Sequence, residues 1–475
     1  EIETADAMPN DELTEIIRDR EIKCPACESS FRDAEARDFN LMFETNIGPE
    51  SGRRGYLRPE TAQGIFTNFH RLKRYYREDL PFGVSQVGRA YRNEIHPRQG
   101  IIRLREFNQA EVEYFRRPGE EMESRFEEVA DTEVNLYPAN EQLTDDGEMF
   151  RTTLREAVED EIVTDRTIAY FIGKSQEWYE SIGIDPDRLR FRQHLSDERA
   201  HYASDCWDGE TLTERFGWIE VNGVADRSTY DLTKHADHSG EEMGVFEEYD
   251  EPVTREETVV EPDMSALGPR FKDKAEDVVD TLRRLAKKNP EAFEEETVEV
   301  EIDGEVHEID SDVAGFEVRE VEERGQNVLP EVIEPSYGIE RIVYSVIEHS
   351  YDKDIVDDEE RSVLRLPSNV APITVGIFPL MTKDGLEEKA REVERDLRNS
   401  GLQVKYDDSG AIGRRYRRHD EIGTPFTVTV DYETLEDGTV TVRDRDTTEQ
   451  KRVNTDELGD VLYRLRQGET KFDDI

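Results

Sequence analysis

The fold is decided by GRAYRNE at 88–94 and, one short loop later, by RLREFNQAE at 103–111. Polar and apolar residues alternate over 84–94 and 102–114, which predicts two strands of a long antiparallel hairpin. Counting by twos gives each strand one polar face, formed by Arg92 and Glu94 on the first and by Arg103, Arg105, Phe107, Gln109, Glu111 and Glu113 on the second. An exposed sheet face explains the alternation. A nucleotide site explains it equally well, because guanidinium groups suit phosphate and a ring suits a base.

The composition is polar and acidic. The 475 residues are 35% hydrophobic and 37% charged, and 62 basic against 113 acidic residues give a net charge of −51. Such values can indicate disorder. The acids are spread along the chain, however, and aromatic and aliphatic residues recur periodically from 39 to 466, which favours a folded protein with the hydrated acidic surface of halophiles. In about 1 M salt the Debye length is about 3 Å, so the charge does not exclude a nucleic-acid partner.

Length and cysteine content narrow the class of protein further. A chain of 475 residues predicts two to four domains. Three cysteines, Cys24, Cys27 and Cys206, indicate a reducing compartment, and we expect a cytoplasmic protein. No run of about 18 apolar residues predicts a membrane span. Because the chain starts at Glu1 without Met, we expect a fragment or a processed chain.

The rest of the chain divides by its periodicity. It predicts a helix over 60–78, mostly helices over 119–190, strands at 216–221 and 228–232, a helix over 338–350 and an acidic linker over 352–362. From Ile373 onward, strands alternate with helices, which predicts a separate α/β domain.

Several segments together resemble one family. The hairpin is similar to motif 2 of the class II aminoacyl-tRNA synthetases in its glycyl form, of the archaeal and eukaryotic type. Further matches are LRPETAQG at 57–64, FRQH at 191–194, HYASDCW at 201–207, GWIEV at 217–221, ADRS at 225–228, and EPSYG at 334–338 with Arg341, which resembles motif 3. The segment from 371 to 453 resembles an anticodon-binding domain.

The resemblance implies an α+β fold: an antiparallel class II sheet flanked by helices, with mixed insertions and a C-terminal α/β domain. It places a catalytic domain at 1–366, with insertions at about 119–190 and 240–325, and an anticodon-binding domain at 367–475. It implies ATP-dependent attachment of glycine to tRNA(Gly) through a glycyl-adenylate, with Mg²⁺ accompanying ATP, in a homodimer. Motif 1, which forms the dimer interface in this family, is not in the sequence.

The resemblance also assigns residues. It implies an ATP site formed by Arg92, Asn93, Glu94, Arg103, Leu104, Arg105, Glu106, Phe107, Glu220, Val221, Gly338 and Arg341, with Glu220 a ligand of Mg²⁺. It implies a glycine site formed by Glu60, Gln109, Glu111, Arg227, Glu334, Pro335 and Ser336. The physical reason is that glycine has no side chain, so carboxylates must hold its ammonium while the pocket wall excludes a β-carbon.

Three weaker signals and two alternatives remain. Cys24 and Cys27 form CxxC, which is half of a zinc site or simply two free thiols. The basic cluster RRYRRH at 414–419 indicates tRNA contact through Arg414, Arg415 and Arg417; the other interpretation is a solvated helix face. His96 and Arg98 are candidates for contact with the acceptor end of the tRNA.

The alternative functions are a non-catalytic, synthetase-like accessory protein that binds nucleic acid and a class IIa synthetase for another amino acid.

Overall fold

The computed structural model describes residues 8–475, except 25–26, 38, 49–51, 96, 98–99, 145, 200–202, 294, 303–304 and 357. The strands are β1 (Glu44–Asn46), β2 (Arg54–Tyr56), β3 (Phe82–Tyr91), β4 (Glu106–Arg116), β5 (Glu133–Tyr137), β6 (Phe150–Thr153), β7 (Leu189–Gln193), β8 (Asp205–Thr213), β9 (Gly217–Ser228), β10 (Val245–Val260), β11 (Thr297–Ile302), β12 (Glu305–Asp310), β13 (Phe316–Val328), β14 (Glu331–Gly338), β15 (Tyr351–Val356), β16 (Glu359–Leu364), β17 (Val375–Pro379), β18 (Val404–Tyr406), β19 (Phe426–Val430), β20 (Thr439–Asp444) and β21 (Gln450–Asn454).

The helices are α1 (Asn10–Asp19), α2 (Ala62–Phe66), α3 (Phe69–Tyr75), α4 (Glu123–Phe126), α5 (Ala139–Gln142), α6 (Leu154–Glu159), α7 (Arg166–Ser181), α8 (Tyr230–Ser239), α9 (Met264–Phe271), α10 (Ala275–Lys288), α11 (Ser311–Ala314), α12 (Ile339–Ser350), α13 (Leu386–Asn399), α14 (Ile412–Glu421), α15 (Tyr432–Asp437) and α16 (Leu458–Gln467).

An eight-stranded sheet is formed by strands that lie between residues 82 and 338. Its order is β3-β4-β14-β9-β8-β7-β5-β6, and every pairing is antiparallel except that of β5 with β7. Directly opposed residues share a face, so one row crosses five strands through Gln86, Glu111, Ser336, Gly223 and Asp208. The sheet therefore carries side chains from distant parts of the sequence into a single line.

Helices cover the face of this sheet that lies opposite this row of side chains, and they cover its ends. One buried apolar cluster joins the sheet to α6 and α7 through Leu154, Ile168 and Ile172, which pack with Phe191 and Trp207. Another joins it to α12 through Ile342 and Val346. Dense packing of this kind fixes the sheet's shape, and with it the positions of the side chains on its open face.

Residues 70–80 and 241–330 form a compact unit of their own. The long strands β10 and β13 pair antiparallel, and β11 pairs with β12. Its core is apolar, with Val278 and Leu282 of α10 against Val298, Val300 and Ile309. The strands β11 and β12 flank Asp303-Gly304, which lie outside the described residues.

The C-terminal part has a five-stranded mixed sheet. Its order is β18-β17-β19-β20-β21, with β17 parallel to both β18 and β19. Val375, Ile377 and Val428 pack against Leu397 of α13 and Leu462 of α16. The predicted alternation of strands and helices is therefore confirmed.

A hairpin of β15 and β16 follows α12 and is joined to α14 and β20 through buried charges. Arg361, only 1% exposed, donates from Nε to Asp354 Oδ1 at 2.7 Å and from Nη1 to Asp420 Oδ2 at 3.1 Å. Arg443 donates to Asp420 Oδ1 at 2.9 Å, and Asp420 is fully buried. This segment was expected to be an acidic linker, and that prediction is wrong because the opposed pair Asp354–Arg361 stabilises a hairpin.

Other elements differ from expectation as well. The predicted strand at 228–232 is wrong: Ser228 has a φ of 49°, the chain turns there, and α8 begins at Tyr230. The region 119–190 is only partly helical, since it holds β5 and β6. The predicted helix over 60–78 is broken between α2 and α3, whereas the helix over 338–350 is confirmed as α12. No helix in the described part of the chain is long and apolar enough to cross a membrane.

We expect Asp420→Asn to lower the free energy of unfolding by about 3–5 kcal/mol, because it removes one partner of a buried charge pair and leaves Arg361 and Arg443 under-compensated. Urea denaturation measures this. Asp460→Asn is the matched control, since Asp460 pairs with Arg464 on the surface at 4.0 Å and should change stability by less than about 0.5 kcal/mol. Equal effects of the two substitutions would contradict the role given to Asp420.

Candidate active site

A cleft lies on the open face of the eight-stranded sheet and encloses about 820 Å³, open solvent at its mouth included. It brings together most of the residues predicted from sequence: Glu60, Arg92, Glu94, Arg103, Leu104, Phe107, Gln109, Glu111, Glu220, Val221, Glu334, Ser336, Gly338 and Arg341.

One end of the cleft is built around Arg92 and Phe107. The Arg92 guanidinium lies 5.4 Å from the centre of the Phe107 ring, and its Nε donates to the carbonyl of Pro59 at 3.3 Å. Arg92 follows the end of β3, and Phe107 stands near the start of β4, so the hairpin itself sets their separation. A ring beside a fixed cation can hold a flat, negatively charged ligand.

Arg341 ties three elements together at the same end. Its Nε donates to the carbonyl of Ile102 at 3.1 Å, and its Nη1 donates to the carbonyl of Glu220 at 2.9 Å and to Glu220 Oε2 at 3.0 Å. The neighbouring Glu340 accepts from the backbone N–H of Asn108 at 2.9 Å and from Asn108 Nδ2 at 2.7 Å. The first turn of α12 is therefore fastened to both β4 and β9.

The other end of the cleft is organised by one buried guanidinium. Arg227, 1% exposed, donates to both oxygens of Asp231 at 2.7 and 2.9 Å and to Glu334 Oε2 at 2.8 Å. Its Nη2 also lies 3.7 Å from Glu60 Oε1. Carboxylates from β14, α8 and the loop before α2 are thereby held around a single cation, as charge-assisted, bidentate bonds favour.

Glu111 holds the loop that carries Glu60. Its Oε2 accepts from the backbone N–H groups of Thr61, at 2.5 Å, and Ala62, at 2.9 Å, and from the Thr61 hydroxyl. Burial raises the pKa of Glu111 despite these bonds. Burial likewise raises the pKa of Glu334 to about 7, while Arg227 opposes that rise.

Several residues expected in the site do not line the cleft. Asn93 donates from Nδ2 to the carbonyl of Asn40 at 3.3 Å, and Arg105 donates from Nε to the carbonyl of Glu94 at 3.0 Å. Glu106 pairs with Arg89, and Pro335 is buried within β14. Arg227 acts from behind the cleft wall rather than on it. Their contacts support the hairpin and the pocket.

The basic helix differs from expectation in part. Arg415 is buried, and its guanidinium donates to the carbonyls of Pro379 at 2.5 Å and of Asp408 and Gly410 at 2.8 Å. Its charge is used inside the domain, so it does not suit the predicted tRNA contact. Arg414 is exposed, and Arg417 is half-buried and bonds the carbonyl of Val356. His96 and Arg98 lie outside the described residues.

Sequence reasoning missed four residues that line the cleft: Ile101, Ile102, Asn222 and Glu340. The two isoleucines stand in the hairpin loop, where no strand period applies. Glu340 precedes Arg341 in the first turn of a helix, and an acid there commonly reads as a helix-dipole partner. Its bonds to Asn108 arise only from tertiary structure.

The predicted zinc site has two thiols. Cys27 is exposed and Cys24 partly buried, and Cys27 Sγ bonds the Ser29 hydroxyl at 3.3 Å, which lowers the pKa of the Cys27 thiol. Two ligands are half of a tetrahedral set. Within the described ranges, the group of three possible metal ligands is His194, Cys206 and Asp208, which does not include this pair.

Comparisons with known proteins show the family to which the chain belongs. Residues 43–350 match the model of the tRNA synthetase class II core domain (G, H, P, S and T), and residues 374–465 match that of the anticodon binding domain. The chain is 49% identical to the glycine–tRNA ligase of Methanothrix thermoacetophila over 99% of this chain and 80% of that one. It is 51% identical to that of Archaeoglobus fulgidus, over 98% of this chain and 80% of that one. The chain belongs to the glycine–tRNA ligase family.

This family membership confirms the class II fold expected from the sequence. The sheet that carries the cleft is the class II core, and the C-terminal mixed sheet falls within the anticodon-binding model. Among solved structures, the prolyl-tRNA synthetase of Cryptosporidium parvum, complexed with L-proline and AMP, matches at 15% identity with a TM-score of 0.48, over 90% of this chain and 64% of that one.

We expect Arg227→Met to destabilise the fold by about 3–5 kcal/mol near pH 8, because it leaves buried carboxylates without their cation. The pH dependence of this destabilisation follows from Glu334, whose pKa in the folded state is already raised to about 7 and rises further without Arg227. A carboxyl group whose pKa is higher in the folded than in the unfolded state stabilises the fold below the unfolded-state pKa. This stabilisation is lost as pH rises through the folded-state pKa. The variant should therefore be less impaired at pH 5.

Urea denaturation of both proteins at pH 5 and pH 8 measures this difference. Arg151→Met is the control, because Arg151 bonds Glu133 and Asp187 at the surface. A penalty for Arg227→Met that is equal at both pH values would contradict the assigned charge cluster.

Proposed function

We propose that this protein attaches glycine to tRNA(Gly) in an ATP-dependent reaction that passes through a glycyl-adenylate. The observation that carries this is the cleft itself, with an arginine–aromatic end and a carboxylate end joined through β4. Glycine–tRNA ligases at 49–51% identity support it. Retention of both ends argues against the alternative of a non-catalytic accessory protein.

At the nucleotide end, Phe107 stacks on adenine and Arg92 holds the α-phosphate. Arg341 holds the γ-phosphate of a bent ATP, and Glu94, Arg103, Leu104, Val221 and Gly338 complete the wall. The bonds of Arg341 to Ile102 and Glu220 support its role, because they place the guanidinium at the mouth of the cleft before ATP arrives. Such pre-positioning favours the charged transition state of phosphoryl chemistry.

At the carboxylate end, Glu60, Glu111 and Glu334 surround the ammonium group of glycine, and Ser336 closes the pocket. Arg227 acts as a positioning residue, since it bonds Glu334 and lies near Glu60. Gln109 is 8% exposed, lines the cleft, and its Oε1 has no hydrogen-bond partner among the described residues. A buried acceptor of this kind is best satisfied by a bound ligand.

The chemistry needs little from the protein beyond position. The glycine carboxylate attacks the α-phosphorus, a P–O bond forms, and pyrophosphate leaves. A terminal ribose hydroxyl of the tRNA then attacks the adenylate carbonyl and releases AMP. The chain's residues align the two substrates and balance their charge. Mg²⁺ bound with ATP neutralises phosphate charge, and the exposed Glu220 would be its protein ligand, as Mg²⁺ prefers few carboxylates with phosphate oxygens.

The remaining assignments complete the proposal. Residues 1–366 form the catalytic domain, with insertions at about 119–190 and 240–325, and residues 367–475 form the anticodon-binding domain. Arg414 is the exposed member of the basic cluster and contacts tRNA phosphate. The protein works as a homodimer in the cytoplasm. Zinc at Cys24 and Cys27 would need two further ligands, so the thiols alone do not fit a structural zinc site.

We expect glycine to support exchange of pyrophosphate into ATP, with alanine, proline, threonine and histidine at least about 100-fold weaker, because a β-carbon overpacks the pocket. An exchange assay with purified protein across this panel measures it. Strong exchange with another amino acid would replace glycine, and no exchange with any would favour the non-catalytic alternative.

We expect Glu340→Gln to raise the KM for ATP about 5- to 30-fold with little change in that for glycine, because a neutral amide weakens the bonds that fix Asn108 beside Phe107. Exchange assays with each substrate varied in turn measure this. Glu388→Gln is the matched control, since Glu388 also lies in the first turn of a helix and is exposed. A rise limited to glycine would contradict the role of Glu340.

A further inference from the structure

The glycine end of the cleft holds more buried acids than cations. Glu111, Glu113, Asp231 and Glu334 are each at most 7% exposed, and Glu60 lies beside them. The cation bonded to this group is Arg227. Burying an ionised carboxylate without compensation is so unfavourable that such a group takes up a proton instead.

Glu113 shows the imbalance most clearly. It stands on β4 two residues after Glu111 and is fully buried. Neither of its carboxyl oxygens has a hydrogen-bond partner among the described residues. It does not line the cleft, so substrate does not reach it directly. A carboxyl group in this setting is neutral.

The groups that face the cluster come from every neighbouring element. Glu60 precedes α2, Arg227 is on β9, Asp231 on α8 and Glu334 on β14. Beyond Gly223 and Ser336, β8 contributes Cys206 and Asp208, and Asp208 Oδ2 is hydrogen-bonded to His194 Nε2 at 2.7 Å. Burial raises the pKa of the Cys206 thiol, and Asp208 and other carboxyls raise it further, so β8 adds acids rather than a compensating guanidinium or amine.

We propose that the empty glycine pocket carries protons on Glu113 and, in part, on Glu334, and that the ammonium group of glycine displaces the Glu334 proton into solvent when it binds. This inference rests on the proposed function. The charge balances, because one ammonium enters as one proton leaves, while Glu113 stays neutral throughout. Glycine is then recognised by exchange of one positive charge for another.

The titration behaviour agrees with this arrangement. Burial raises the pKa of Glu334, Arg227 lowers it, and Glu111 and Glu60 raise it, with a net pKa of about 7. Burial, with Glu334 next, raises the pKa of Glu113 well above its ordinary range. An ammonium group in contact with Glu334 lowers that pKa again, so the affinity for glycine should improve as pH rises from 6 to 8.

Isothermal titration of the whole protein with glycine, in buffers of different ionisation enthalpy, counts the released protons. With a pKa of about 7 in the free protein, we expect about 0.9 proton released at pH 6, about 0.5 at pH 7 and about 0.1 at pH 8. A count of zero at all three values, with glycine bound, would overturn the inference and leave the glycine site intact. If no glycine binds, the proposed site fails and the inference fails with it.

Two variants assign the proton. Glu334→Gln should abolish the release at pH 6, with glycine binding at least about tenfold weaker. Glu113→Gln should keep the wild-type proton count, because an amide replaces a group that is neutral in both states. Glu388→Gln is the control and should also keep it, because Glu388 is exposed and does not line the cleft. Loss of the release in Glu113→Gln, or its persistence in Glu334→Gln, would overturn the assignment.

Discussion

The active site depends on one buried guanidinium. Arg227 joins Glu334 on β14, Asp231 on α8 and Glu60 on the loop before α2, and these three acids are far from one another in sequence. Without the cation, the same carboxylates would repel one another and would be expensive to bury. Glycine offers only its two charged ends, so a site for it requires such a concentration of acids. The cation that lowers the free energy of burying these acids also orients them.

The sheet supplies the second constraint. Because opposed residues of an antiparallel sheet share a face, Glu111, Ser336 and Gly223 lie in one row. Phe107 precedes Glu111 on the same strand. The distance between the nucleotide and glycine ends is then fixed by backbone hydrogen bonds rather than by flexible loops. A reaction that relies on alignment of two substrates benefits directly from this rigidity.

Much of this could be predicted from sequence, because the hairpin residues follow strict period two and the EPSYG segment precedes an apolar helix. The period fails where the strands end: Arg103 and Arg105 were placed on the strand that carries Phe107, yet β4 begins at Glu106. Contacts between elements that are distant in sequence could not be predicted either. Nothing local indicates that Glu340 bonds Asn108, or that Arg415 turns inward while Arg414 remains exposed.

Acidic residues occur throughout the chain, and we propose that those inside the cleft serve the recognition of glycine. The structure locates an excess of buried carboxyls at the end assigned to glycine, whereas the arginines that line the cleft, Arg92, Arg103 and Arg341, lie at the other end. A crystal structure with a non-hydrolysable glycyl-adenylate analogue tests this polarity most directly. We expect the ammonium within hydrogen-bonding distance of Glu334 and Glu60, and the adenine on Phe107. An ammonium directed toward Glu220, with the adenine away from Phe107, would contradict it.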